Sequence, residues 1–186
     1  MDASGFGSGQ FMQNKTVLIL GGARSGKSRH AQDIAATTGL EPMMIATAQP
    51  RDAEMAARIA RHKADRDDRW RVIEEPINLV GALKASRAPG TVVLVDCLTL
   101  WLSNLMESGA GIVANTTALV DELSEQRGKV ILVSNEVGFG IVPANELGRL
   151  FRDEQGSLNQ AVARVCEDVI FMIAGLPLVL KPVKRG

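Results

Sequence analysis

The residues Gly21-Gly22-Ala23-Arg24-Ser25-Gly26-Lys27-Ser28 satisfy G-x-x-x-x-G-K-[ST] at every fixed position, the pattern of a loop that wraps a phosphate. Glycines let backbone N–H groups turn inward around an anion. Lys27 adds a cation for the outer phosphates, Ser28 offers a hydroxyl to Mg²⁺, and the helix that follows presents its N-terminal dipole. Asp96 supplies a complementary group. It ends the apolar run Val92-Val93-Leu94-Val95, where a phosphate-loop protein places its magnesium carboxylate. An acid capping the next helix has the same local sequence, so the metal-linked reading of Asp96 depends on the loop. Together, residues 21–28 and Asp96 imply binding of a nucleoside triphosphate with Mg²⁺.

What the triphosphate is for is narrowed mainly by exclusion. No Asn-Lys-x-Asp guanine reader is present, which argues against a signalling GTPase. A chain of 186 residues is short for a transporter ATPase subunit or a helicase and suits a small-molecule kinase. There are two histidines. His62 is flanked at four-residue spacing by Arg58 and Arg66, which share its helix face, with Arg61 and Lys63 beside it. Such a cluster attracts phosphates and disfavours protonated imidazole, leaving a neutral, nucleophilic ring at pH 7. A solvated charged helix face gives the same pattern. His30, one turn into the phosphate-loop helix, reads as a flanking residue.

The elements that must position these groups alternate in type. Short apolar strands are expected at 16–20, 43–47, 71–73, 91–95 and 129–133, with a closing pair at 169–173 and 178–180. Helices are expected between them at 25–37, 52–65, 77–86, 98–107, 115–127 and 146–166, with a weak point near Gly156. In the second helix Met55, Ile59 and the alanines form the apolar stripe. Residues 134–145, carrying Gly138, Gly140 and Pro143, read as a loop. Strands apolar on both faces and alternating with helices predict an α/β, P-loop NTPase-like sandwich. Its sheet is mainly parallel, flanked by helices, and closed by a C-terminal strand pair. Residues 1–14 read as a flexible tail and 15–186 as a single domain.

Composition bounds the partners. Twenty-one Lys and Arg offset 21 Asp and Glu, so no basic field draws the chain to nucleic acid. Aromatics are 4% with no Tyr, which disfavours base-stacking surfaces. Cys97 and Cys166 form no Cys-x-x-Cys pairing, so they read as neither a zinc site nor a disulfide framework and suit a reducing cytosol. The first fourteen residues have no signal-peptide pattern, and the longest apolar stretch is broken by Gly175 and Pro177. A cytoplasmic protein without membrane insertion is expected.

Taken in order, Gly-Gly-Ala-Arg-Ser-Gly-Lys-Ser-Arg-His-Ala (21–31), Ile-Ala-Thr-Ala (45–48), Glu-Met-x-x-Arg-Ile-x-x-His (54–62) with Trp70, Val-Asp-Cys-Leu-Thr (95–99), Ser-Asn-Glu-Val-Gly-x-Gly-Ile-Val-Pro (134–143) and Phe-Arg-Asp-x-x-Gly-x-Leu-Asn-Gln (151–160) form a larger pattern. It resembles the bifunctional adenosylcobinamide kinase / adenosylcobinamide-phosphate guanylyltransferase family of cobalamin biosynthesis, and covers nearly all of the chain from residue 17.

The resemblance implies two reactions. The first phosphorylates the aminopropanol hydroxyl of adenosylcobinamide from ATP or GTP. The second moves GMP from GTP, through a guanylylated histidine, onto adenosylcobinamide phosphate, giving adenosyl-GDP-cobinamide and pyrophosphate. By position, the resemblance makes His62 the histidine that takes GMP. Nucleotide contacts would come from Gly21, Gly22, Ala23, Arg24, Ser25, Gly26, Lys27, Ser28, Ala46, Thr47, Ala48, Lys63, Ala64, Asp65, Arg66, Glu74 and Asp96, with Ser28 and Asp96 on the metal. It also implies a homo-oligomer, commonly a trimer. The Ser134–Pro143 loop would form part of the corrinoid side or a subunit contact, or serve only as a turn. Two other readings remain open: a small-metabolite kinase without a covalent intermediate, and a nucleotide-gated binding module with slow hydrolysis.

Overall fold

The computed structural model describes residues 15–64, 69–125 and 128–181, without the side chains of Arg58 and of residues 61–64. Elements follow in the order β1 (Thr16–Gly21), α1 (Lys27–Thr37), β2 (Glu41–Ala46), α2 (Ala53–Ala64), β3 (Arg71–Glu74), α3 (Leu79–Ala85), β4 (Thr91–Asp96), α4 (Leu98–Ser108), α5 (Ile112–Ser124), β5 (Lys129–Asn135), α6 (Glu146–Val165), β6 (Asp168–Ile173) and β7 (Leu176–Lys181). The strands make one sheet in the order β3-β2-β4-β5-β1-β6-β7. Every pairing is parallel except β6 with β7. Helical crossovers allow the parallel pairs, whereas the short Ala174-Gly175 turn, with φ of 52° and 80°, allows only a hairpin.

The central strands bury both faces, which is why they read as unbroken apolar runs rather than alternating ones. Leu18, Val93, Val95, Val130 and Leu132 meet Leu83, Trp101, Leu105, Leu119, Leu158 and Val162 from α3, α4, α5 and α6. The opposite face packs Ile19, Met44, Leu94, Ile131 and Val133 against Ala31, Ile34 and Ala35 of α1. Trp101 is fully buried and donates its indole N–H to the Ile77 carbonyl at 2.8 Å, so its one polar atom is satisfied inside the core.

The expected α/β sandwich and its closing pair are present, with shifts at element ends. α1 begins at Lys27 rather than Ser25, because Gly26 has φ of 95° and cannot belong to a right-handed helix. β5 runs to Asn135, so the loop begins later than expected. α6 is continuous through Gly156; its tertiary packing outweighs the weak helix propensity of glycine. α2 forms, yet Ala53, Ala56, Ala57 and Ala60 are exposed, and Met55 and Ile59 are only half-buried. Neither core cluster takes a described side chain from it.

Candidate active site

Residues 22–26 leave the end of β1 and return into α1. Gly21, with φ of 150°, has no room for a side chain: a Cβ there would lie 2.5 Å from the Met172 carbonyl oxygen. The loop is anchored from outside by the β6–β7 turn, where the Gly175 N–H donates to the Ser25 carbonyl at 3.1 Å. No side chain caps α1 and no acid occupies its first turn. Its leading N–H groups are therefore directed at the loop without a competing carboxylate. Lys27 is buried, and its ammonium donates to the Gly22 carbonyl and, at 3.5 Å, to Ser25 Oγ. Ser28 is half-buried on the next helical position.

Sheet register gathers further residues on the same edge. Ala46 pairs with Glu74 on one side and with Asp96 on the other. Gly21 pairs with Asn135, and Asp96 with Val133. Since β5 lies between β1 and β4, the Asp96 carboxylate stands two strands from the phosphate loop, at the carboxyl ends where open α/β sheets hold ligands. Ala46, Glu74, Asp96 and residues 21–28 are thus brought to one edge.

Thr47 has a different immediate task. Its side chain is fully buried, accepting from the Cys97 N–H at 2.9 Å and donating to the Cys97 carbonyl at 2.7 Å. Its own N–H donates to the Asp96 carbonyl at 3.1 Å. Asn104 completes this stitch, donating to the carbonyls of Thr47 and Pro76 at 2.7 and 2.9 Å. Arg51 donates to Asn104 Oδ1 and ion-pairs with Glu107. Asn104 and Arg51 escaped the sequence reading. The available signal was an asparagine inside the apolar run Leu98–Leu105, where burial requires partners.

A second polar cluster lies beneath the end of β5. Ser134 Oγ donates to Asn159 Oδ1 at 2.7 Å, and Gln155 Nε2 donates to both at 3.0 and 2.9 Å. Asn159 Nδ2 donates to the Asn135 carbonyl at 3.0 Å. The Asn135 N–H is held by Thr99 Oγ1 at 2.7 Å, and the Glu136 N–H by the Gly21 carbonyl at 3.0 Å. Gln155 and Asn159, four residues apart on α6, were the sequence trace of this cluster.

His62, Lys63 and Ala64 lie on the last turn of α2, while Asp65 and Arg66 lie outside the described residues, as do residues 1–14. His30 Nε2 is buried without a described partner, and burial lowers the ring's pKa against the opposing pull of Asp33. Burial, reinforced by the Asp96 charge, pushes the Cys97 thiol up to about 11. Burial likewise pushes Cys166 up to about 12. A cavity of 440 Å³ lined by Gln32, Leu40, Pro42 and Trp70 opens where β2 and β3 begin, the end of the sheet opposite the phosphate loop. Among the described residues no helix is long and apolar enough to cross a membrane.

Comparison with solved structures places the same architecture in an ATPase domain, at TM-score 0.53 and 14% identity over 94% of this chain and 79% of that one. It also occurs in the flagellar accessory protein FlaH of Methanocaldococcus jannaschii, at TM-score 0.51 and 13% identity over 91% and 79%. These likenesses establish the P-loop NTPase-like fold. Sequence relatives are much nearer. The bifunctional adenosylcobalamin biosynthesis protein CobP of Pseudomonas aeruginosa is 51% identical, over 88% of this chain and 96% of its own. The proteins called CobU in Escherichia coli and Salmonella typhimurium are 37% and 40% identical, each over 89% of this chain and 99% of its own. The family description "Cobinamide kinase / cobinamide phosphate guanyltransferase" matches residues 17–180, a span that contains the phosphate loop, Asp96, the Ser134–Gln155–Asn159 cluster and His62. This chain belongs to the cobinamide kinase / cobinamide phosphate guanyltransferase family of bifunctional enzymes.

Proposed function

We propose that the edge formed by residues 21–28 and Asp96 binds ATP or GTP and serves two successive transfers onto adenosylcobinamide, the second through His62. The observation that carries this reading is the register that sets Asp96 on the same sheet edge as the uncapped, lysine-bearing start of α1, with β5 between them. In the first transfer, the loop N–H groups and Lys27 hold the phosphates while the aminopropanol hydroxyl of adenosylcobinamide takes the terminal phosphoryl group. Positioning and charge neutralisation are most of what that step requires. Lys27 exchanges its bond to the Gly22 carbonyl for phosphate oxygens as nucleotide enters.

Ser28 and Asp96 would hold Mg²⁺. A hydroxyl and a carboxylate are hard oxygen donors, and phosphates and water complete such a shell without a dedicated protein cage. When bound, the ion would offset phosphate charge.

In the second transfer, neutral His62 attacks the α-phosphorus of GTP. The bond to pyrophosphate breaks, and the resulting P–N link passes GMP to adenosylcobinamide phosphate. Lys63, Ala64, Asp65 and Arg66, next to His62, and Glu74 with Ala46, Thr47 and Ala48, complete the nucleotide contacts. Thr47 contributes by van der Waals contact, since its hydroxyl serves Cys97, its N–H the Asp96 carbonyl and its carbonyl Asn104. The shallow seating of α2 supports a swing of that helix toward the phosphates. Self-association is supported by Phe139, Ile141, Val142 and Leu147, which are 84%, 97%, 61% and 67% exposed along one loop and the start of α6; a trimer is what the family resemblance implies. The buried free thiols suit work in the cytoplasm.

The test is covalent labelling. Protein incubated with GTP and Mg²⁺ is expected to gain one GMP by mass spectrometry, in an acid-labile, alkali-stable bond. His62→Ala is expected to lose the label while phosphorylating adenosylcobinamide. Kinase turnover with no label in the wild type would support a kinase without a covalent intermediate. Label lost from His30→Ala and retained in His62→Ala would overturn the assignment to His62.

A further inference from the structure

Asn135 ends β5 between the strand that leads into the phosphate loop and the strand that ends in Asp96. Its backbone is fixed on three sides: Thr99 accepts from its N–H, Asn159 donates to its carbonyl, and the following N–H donates to Gly21. Its side chain differs. It is half-buried, and among the described residues no hydrogen bond engages its amide.

Alternation along β5 fixes where that amide points. Val130 and Leu132 face α6, as does Ser134 through its bonds to Asn159 and Gln155. Ile131 and Val133 face α1, so Asn135 faces α1 as well. Asp96 shares that face, following Leu94 by two residues on β4. The Asn135 carboxamide is therefore directed to the space between the start of α1 and the Asp96 carboxylate. The fold devotes the buried Ser134–Gln155–Asn159 cluster to holding its backbone there.

We propose that the Asn135 carboxamide donates a hydrogen bond to the terminal phosphate of the bound nucleotide, and that this bond strengthens as the phosphoryl group moves. The step rests on the nucleotide site assigned above. In it, the terminal phosphorus bonds to the acceptor hydroxyl oxygen, whose proton is released to water. Its bond to the bridging oxygen breaks, and that oxygen keeps the electron pair and leaves as nucleoside diphosphate. A neutral donor fixed beside the migrating group meets charge spread over its outer oxygens without reorganising. Guanylylation breaks a different bond, between the α- and β-phosphates, so it draws less on this contact.

Asn135→Ala, Asn135→Asp and wild type, as full chains, are compared for equilibrium binding of a non-hydrolysable GTP analogue, phosphorylation of adenosylcobinamide, GMP labelling and melting temperature. Asn135→Ala is expected to lose about tenfold to hundredfold in kcat for phosphorylation, with smaller losses in analogue affinity and labelling rate and with melting temperature near wild type. Asn135→Asp, nearly isosteric but anionic toward phosphate, is expected to be worse than alanine. The idea is overturned if Asn135→Ala keeps wild-type kcat, if aspartate works better than alanine, or if only KM for the acceptor changes. Parallel loss of labelling and melting temperature would overturn it too, marking a structural residue. Lys27→Ala separates the two levels: tight analogue binding by that variant would remove the nucleotide site itself.

Discussion

The hydroxyl of Thr47 bonds both backbone groups of Cys97, accepting at 2.9 Å and donating at 2.7 Å, and so joins the carboxyl ends of β2 and β4. Asp96 immediately precedes Cys97, so this one side chain helps set where the carboxylate stands. Thr47→Val keeps the shape and strands the buried Cys97 N–H, while the Cys97 carbonyl keeps its bond from the Trp101 N–H, an expected cost of about 1–3 kcal/mol. Urea denaturation measures it, and Thr47→Ser is expected to recover most of the loss. Wild-type stability in the valine variant would show that Cys97 finds other partners.

Asp96→Asn retains the size of the side chain and removes its charge. The variant is expected to fold with an unchanged melting temperature and to need a higher Mg²⁺ concentration for half-maximal phosphorylation. Titrating activity against Mg²⁺ checks this; a curve superimposable on wild type would make Asp96 only the lead-in to α4.

Both thiols are buried, and both are raised far above neutral pH. At pH 8 almost no thiolate exists at either, so native protein is expected to resist iodoacetamide for hours. Denaturant should expose two alkylatable cysteines per chain, counted by mass. Rapid labelling of the native protein at Cys97 would mean that the β4–α4 junction opens readily.

Burial of His30 gives a pH dependence with a definite sign. Its folded pKa lies below the ordinary 6.5, so the unfolded chain takes up its proton first as pH falls. Its contribution is complete above about pH 6.5 and is lost progressively below that, toward the folded pKa. Melting temperature should therefore decline on acidification from pH 7.5 to 5.5, and less steeply in His30→Gln. Equal slopes in the two proteins would assign the decline to other groups.

Sequence alone determined the phosphate loop, the order of strands and helices, and the acid at the end of β4. These are local properties: a fixed motif spacing, apolar runs of strand length, and punctuation by Gly and Pro. It also contained the family pattern, because those motifs keep their order along the chain. Only tertiary structure decided that β5 inserts between β1 and β4, since strand order depends on which apolar faces pack together across long sequence separations. That insertion turned Ser134 and Asn135 from the first residues of a loop into the end of a central strand, with one side chain toward α6 and the next toward α1. It likewise gave Thr47 and Asn104 their tasks, because a buried polar group must find partners that lie dozens of residues away. The apolar stripe of α2 was legible as periodicity. Its shallow seating was not, because how deeply a helix is buried depends on the surface it meets rather than on its own spacing.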